Sequence, residues 1–271
     1  MKRPLPYVIF ILVLSLAGVL FATRHAWAPR LTTLTQPDNQ GLVFAVIGDT
    51  EGHADIYASA IRIAKEHGAS FMIHTGDVSA EGEVDDLNRM SAVGKEAGLE
   101  IFSAVGNHDI RSDNSRNAFR QAFNEPNLAI DRGAYRFLIL DNADRKVGFS
   151  DETLQFLKNE VAEHPQAEYV VVFHRPFHLP LAPILGDDET PTSRPTNDIF
   201  VDVMKDIRVA AIFTGHLHIY LPYSLNGMRT FVTGGGGGEA QAALGPLGDQ
   251  AKHLLIVRQE RGVLNVKIEK L

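Results

Sequence analysis

Residues 42–49 read LVFAVIGD, an unbroken apolar run closed by Gly48 and Asp49. A run so short and so uniformly apolar is a strand covered on both faces, the kind found inside α/β sheets. The pattern recurs in SFMIHTGD (70–77), EIFSAVGNHD (100–109), AYRFLILD (134–141), EYVVVFHRPF (168–177) and VAAIFTGH (209–216). Amphipathic stretches separate them. In 54–68, Ile56, Ala60, Ile63 and Ala64 share one face at helical spacing and Gly68 closes the helix. Residues 83–98 predict a second helix. In 150–164, Ser150 is the N-cap, acids fill the first turn, and Leu154, Leu157 and Val161 face inward. Residues 197–207 predict a short fourth helix. Strand alternating with helix predicts a parallel sheet with crossover helices over the first third. The stretches 227–238 and 253–271 read as late strands that pair in a second sheet. Residues 110–133 and 181–195 read as loops, the natural walls of a binding site.

The polar residues gather where these strands end. The first delivers Asp49, the second Asp77, and the third Asn107, His108 and Asp109. A later one delivers His174, and the run 209–216 leads into His216 and His218. Each is weak alone. A glycine–aspartate pair at a strand end is usually a turn with its cap, and an H-x-H pair is usually solvated or hydrogen-bonded. Together they line the carboxyl edge of a sheet, where open α/β folds bind ligands. A carboxylate can bridge two cations, and imidazoles and an amide oxygen complete each shell without adding charge. Such a nitrogen and oxygen set suits Mn, Fe, Zn or Co. Two ions ~3.5–4 Å apart hold an oxyanion and activate a water between them, which suits a phosphate ester.

Composition narrows the reading. The 271 residues are 45% hydrophobic, enough for one large globular domain or two small ones. There is no cysteine, hence no disulfide, thiolate ligand or cysteine nucleophile. The net charge is −7 with no basic run, so nucleic acid is not expected as a partner. Bound metals would supply the positive charge that the chain lacks.

The ordered series GD, GD, GNHD, H and GHLH resembles the calcineurin-like metallophosphoesterase superfamily, which includes purple acid phosphatases and class III cyclic-nucleotide phosphodiesterases. The match spans roughly 42–238. The resemblance implies an α/β fold of two mixed β-sheets packed as a sandwich flanked by helices, with the site at the sheet ends, in a domain covering 42–271. It also implies roles. Asp77 bridges two divalent or mixed-valence ions (Mn, Fe or Zn), Asp49 and His218 hold the first ion, and Asn107, His174 and His216 hold the second. His108 is the proton donor or phosphate contact. The family's first motif is often D-x-H, whereas this chain has Asp49-Thr50-Glu51 with a histidine only at His53. Glu51 keeps the spacing and is the favoured ligand; His53, or water alone, is the alternative. The tyrosine of the purple phosphatases' GDxxY motif is Ala80 here, so no tyrosinate–iron colour is expected.

Other residues carry smaller expectations. Arg175 and His178 stand near phosphate or a leaving group, with a surface ion pair as the alternative for Arg175. His74 is a satisfied core histidine, Asp141 a turn acid and Tyr220 a core aromatic. The run Gly234–Gly238 either lets backbone approach the ligand or forms a flexible turn. His25, His67, His164 and His253 carry no signal.

The first 28 residues have their own logic. Lys2 and Arg3 precede an apolar run over 7–22, followed by Ala26-Trp27-Ala28. This is the layout of a secretory signal cleaved after Ala28, or of an uncleaved inner-membrane anchor. Both place the domain outside the cytoplasm, in the periplasm or beyond. Residues 29–41, polar with two prolines, read as a linker. The whole predicts an exported, dinuclear metal-dependent hydrolase of small phosphate monoesters or diesters. The alternative is a non-catalytic binding or scaffold protein that has kept the fold. Oligomeric state carries no signal.

Overall fold

A computed structural model describes residues 41–112, 116–180, 182, 189–239 and 249–271. The segments read as signal or anchor and as linker lie outside the described residues, Gly41 excepted, as do most of 181–188. Among the described residues no helix is long and apolar enough to cross a membrane.

The elements follow in the order β1 (Val43–Ile47), α1 (Ala54–Glu66), β2 (Phe71–His74), α2 (Val84–Ala97), β3 (Glu100–Ser103), α3 (Asn117–Ala122), β4 (Leu128–Arg132), β5 (Tyr135–Ile139), α4 (Asp151–Glu163), β6 (Glu168–Val172), α5 (Arg194–Met204), β7 (Val209–Thr214), β8 (Tyr220–Leu225), β9 (Met228–Thr233), β10 (His253–Glu260) and β11 (Val263–Lys270). They form two mixed sheets, ordered β11-β10-β1-β2-β3 and β4-β5-β6-β7-β9-β8.

Strand period two sorts the side chains into layers. From β1, Phe44 and Val46 point between the sheets, where they meet Phe71, Phe137, Val172 and Phe213. Ala45 and Ile47 point the other way, onto Tyr57, Ala60, Ile61 and Ala64 of α1. In the second sheet, Leu138, Val171 and Ile212 face outward onto Leu154 and Leu157 of α4 and Phe200 and Met204 of α5. The result is helix, sheet, sheet, helix. Phe44 anchors the seam, stacked on Phe71 at 5.3 Å and edge-on to Phe137 at 5.2 Å.

Helix ends follow local chemistry. Thr153 N–H donates to Ser150 Oγ at the start of α4 (3.1 Å). Gly98 closes α2 with φ +66°.

Four expectations need correction. The C-terminal hairpin β10–β11 does not build a second sheet; β10 joins β1 antiparallel and widens the first. The stretch 227–238 supplies β9, which runs parallel to β7 in the other sheet. The region 110–133 is not all loop, since it holds α3 and β4. Helix α5 begins three residues earlier than predicted, with a proline in its first turn, where a missing N–H costs nothing.

Candidate metal centre

Register brings the first sheet's strand ends level. β1, β2 and β3 run parallel, with Ile47 opposite His74 and His74 opposite Ser103. Beyond those ends the chain turns through left-handed backbone: Asp49 has φ +59°, Asp77 +55° and Glu51 +43°. Aspartate tolerates this region, but for glutamate it is strained, and such strain gathers at functional turns. The turns lock onto each other. Asp49 N–H donates to Gly76 O (3.0 Å), Glu51 N–H to Asp77 O (2.9 Å) and Gly52 N–H to Val78 O (2.9 Å). Glycine is required where the segments nearly touch. A Cβ on Gly76, itself at φ +98°, would come within 2.6 Å of His174 Nδ1, and one on Gly106 within 2.0 Å of Asp77 N.

The second sheet supplies three of the four imidazoles. His174 and His216 each stand two residues past a strand end, after β6 and β7, and His218 follows. Three rings share one device. His174 Nδ1 pairs with Thr75 O (2.9 Å), His218 Nδ1 with Glu239 O (2.6 Å) and, from the first sheet, His108 Nδ1 with Ala80 O (2.8 Å). A carbonyl only accepts, so each Nδ1 carries the proton and each Nε2 is the nitrogen turned inward. There, His174 Nε2 lies 3.0 Å from Asn107 Oδ1 and 3.2 Å from Asp77 Oδ2. His218 Nε2 lies 3.5 Å from Asp49 Oδ1 and 3.3 Å from Glu51 Oε1. His108 Nε2 lies 3.6 Å from Glu51 Oε1 and 3.9 Å from Asp77 Oδ2.

Two triads emerge with ligand atoms close enough to share an ion, Asp77–His174–His216 and Glu51–Asp77–His108. Asp77 belongs to both. Facing lone pairs on imidazole nitrogen and carboxylate oxygen require a cation between them, a proton or a metal. The ionisation pattern shows the same demand. Burial would lower the pKa of His174, but the Asp77 carboxylate outweighs it and holds the ring up at about 9. Burial opposes charge on His218 too, yet Asp49 and Glu51 raise it to about 11. Burial raises Asp49. For Asp77, burial is overcome by His174 and His108, and the carboxyl falls well below its usual range. Glu51 is likewise lowered, the neighbouring His218 and His108 outweighing its burial. Three carboxylates, an amide and four imidazoles thus form a donor set that fits two divalent cations in place of those protons.

The structure gathers all eight sequence-derived residues, Asp49, Glu51, Asp77, Asn107, His108, His174, His216 and His218. Between the first-motif alternatives it separates clearly. Glu51 faces the cluster, whereas His53 is exposed and its Nδ1 pairs with Thr50 O at 2.9 Å. His178 turns away from the cluster, toward Glu189 (3.4 Å) and Asp198 (3.2 Å). Arg175 reaches the cluster: its Nη1 donates to His216 Nε2 (2.9 Å) and its Nε to Ala143 O (2.8 Å). His74 is satisfied by Thr50 Oγ1 and the Gly76 N–H. Gly236 N–H and Gly238 N–H donate to Gly48 O and Asp49 O, so the glycine run packs on the metal-side turn.

Sequence reasoning missed Arg111 and Asn142. Arg111 Nη2 donates to His108 Nε2 (2.6 Å) while Nη1 is held by Glu81 (2.9 Å). Its only signal was an arginine two residues past GNHD. Asn142 Oδ1 accepts from the N–H groups of both His174 and Arg175 (3.0 and 2.9 Å), fixing that turn. Nothing in its neighbourhood of sequence announced it.

Comparison with known proteins agrees with this geometry. No curated protein matches the chain. Among solved structures, a dimetal phosphatase from Danio rerio superposes with TM-score 0.65 at 13% identity, covering 86% of this chain and 97% of that one. A purple acid phosphatase from yellow lupin seeds gives TM-score 0.61 at 17% identity, over 84% and 51%. GAP50, the anchor in the inner membrane complex of Plasmodium, gives 0.60 at 12%, over 85% of each chain. At these identities the likeness is one of fold. The model of the calcineurin-like phosphoesterase family matches residues 42–220, and the chain belongs to that family of metal-dependent phosphoric ester hydrolases.

Proposed function

We propose that this chain is a dinuclear phosphoesterase that hydrolyses small phosphate esters outside the cytoplasm. The observation that carries the dinuclear reading is Asp77, shared by two ligand triads whose other members differ. Asp49, Glu51, Asp77 and His218 would hold one ion, and Asp77, Asn107, His174 and His216 the other. When bound, the ions supply Lewis acidity toward the phosphoryl oxygens and toward the attacking water.

The protein's own groups do the rest. Backbone carbonyls fix the tautomers of His174, His218 and His108, so their Nε2 atoms converge without reorganisation. Arg111 and Arg175 reach the two sides of the centre, on His108 and His216, where guanidinium groups orient phosphoryl oxygens. In hydrolysis a water oxygen bonds to phosphorus as the bond to the alcohol oxygen breaks, and that oxygen takes up a proton. His108 stands where it can deliver the proton or steady the phosphoryl group. With Nδ1–H tied to Ala80 O, it serves as donor only when Nε2 is also protonated and Arg111 has turned onto the phosphoryl group.

Metal analysis of the purified protein, joined to hydrolysis of an aryl phosphate before and after chelation, tests the reading. About two equivalents of metal and chelator-sensitive turnover are expected. Metal binding without turnover would favour the scaffold alternative. Export rests on Lys2, Arg3, the apolar run 7–22 and Ala26-Trp27-Ala28. A C-terminal reporter active only outside the cytoplasm should be active, and the mature N-terminus, by mass spectrometry, separates cleavage from anchoring.

A further inference from the structure

His74 is the last residue of β2, three before Asp77, and is fully buried. Neither of its ring hydrogen bonds is to a carboxylate. We infer that His74 is a positioning residue of the metal centre: its neutral ring, bonded to Thr50 on one side and to Gly76 on the other, fixes how the turn of Asp49 and Glu51 stands against the turn of Asp77. This rests on the dinuclear phosphoesterase reading and deepens it.

Direction is fixed bond by bond. Gly76 N–H donates to His74 Nδ1 (3.2 Å). An N–H only donates, so Nδ1 bears a lone pair and the neutral ring carries its proton on Nε2. Nε2 lies 3.0 Å from Thr50 Oγ1 and donates to it. The hydroxyl donates in turn to Val78 O (3.0 Å). The bonds run one way, from Gly76 to His74 to Thr50 to Val78. Thr50 stands between Asp49 and Glu51, and Gly76 and Val78 flank Asp77. Each carboxylate is therefore next in sequence to a member of this series. The tautomer is the reverse of that in His174, His218 and His108, where Nδ1 holds the proton and Nε2 is bare.

The turns need such a tie. Asp49, Glu51 and Asp77 all sit in left-handed backbone, which persists in residues other than glycine only where the surroundings over-determine it. Backbone bonds join the two turns at Asp49, Glu51 and Gly52, and the ring adds a side-chain bridge across the same gap. The Tyr57 ring stands edge-on to His74 at 5.6 Å and fixes its plane. Thr50 is fully buried as well, so bulk water is not at hand to replace a lost bond.

The test titrates Mn²⁺ into the metal-free wild type, Thr50→Val and Thr50→Ser. Valine keeps the shape of threonine without its hydroxyl, and serine keeps the hydroxyl. Thr50→Val should weaken Mn²⁺ binding and lower kcat/KM on an aryl phosphate, each by about tenfold or more, with Thr50→Ser within about threefold of wild type, since outer partners of a metal site are worth ~10–100-fold. A ring that only fills the core would change thermal stability and leave Mn²⁺ affinity alone. Nitrogen-15 spectra of the wild type, with the His74 signals identified by their loss in His74→Phe, should show a protonated Nε2 and a bare Nδ1. That measurement decides the matter if Thr50→Val does not fold. Unchanged Mn²⁺ affinity in Thr50→Val, equal losses in Thr50→Val and Thr50→Ser, or a proton on Nδ1 of His74 overturns the inference alone. A wild type that takes up no Mn²⁺ and hydrolyses no ester overturns the dinuclear reading as well.

Discussion

The two sheets contribute to one centre in different currencies. The first sheet brings all the anions: Asp49, Glu51 and Asp77 leave β1 and β2 on left-handed turns that hydrogen-bond to one another. The second brings His174, His216 and His218, neutral ligands whose positions are set largely by contacts to the first sheet. His174 Nδ1 reaches Thr75 O, and His216 N–H donates to both oxygens of Asp49 (2.9 and 3.1 Å). One edge is a self-tied block of charge and the other is arranged around it. Charge density on the first edge should dominate metal capture, and imidazole placement on the second should tune it.

The largest expected effect is at Asp77, the point common to both edges. Asp77→Asn should empty both ion positions and lower turnover by more than the ~10–100-fold that outer-shell changes cost. Retention of two equivalents of metal would break the comparison. Next comes His108→Ala, expected to slow turnover by ~10²–10⁴-fold with metal content retained. Loss of one ion instead would make His108 a ligand, as its grouping with Glu51 and Asp77 allows. Glu51 sharpens the contrast in charge. Glu51→Ala should lose one ion, Glu51→His should move preference from Mn²⁺ or Mg²⁺ toward Zn²⁺, and His53→Ala should do neither. Metal stoichiometry of the three variants decides the point.

The smallest effect concerns two fully buried histidines shifted in opposite directions. Burial depresses His74 on β2 to about 3, while Asp77 overrides burial and raises His174 to about 9. The unfolded chain protonates His74 more readily than the fold does. Its contribution is therefore present above pH ~6.5 and is lost as pH falls toward 3, by up to ~1.4 kcal/mol per pH unit. In the metal-free protein the His174 contribution is present below pH ~6.5 and is lost as pH rises through about 9. Denaturant titrations across pH should show both limbs without metal. His74→Gln should flatten the acid limb, and metal loading, which displaces the His174 proton, should remove the alkaline one.

The central strands and nearly all the ligands were legible in the sequence because both carry strong signals. Buried parallel strands are continuous apolar runs, and ligands follow them at fixed offsets. Edge elements were not. β4 reads LAIDR and β8 carries the exposed Pro222; they stand at the two ends of the six-stranded sheet, beside β5 and β9, so neither needs a wholly apolar pattern. The partner of the last hairpin was equally hidden, since a strand buried on both faces shows no preference for which edge it joins. His178 and Arg111 were misjudged or missed because side-chain direction in a loop leaves no periodic trace.

The pairing of β10 with β1 also governs when the domain can form. β1 is the first of the described strands to be synthesised, and one of its two neighbours, His253–Glu260, follows only after β9. Until those residues exist, the edge of β1 that Leu255 and Val257 will join stays open, and open apolar edges invite aggregation. Closure across so long a separation is slow, because the loop entropy is lost before the contacts form. A chain shortened before His253 would thus lack an interior strand, not a tail, and the first sheet can close only once residues 253–260 have been made.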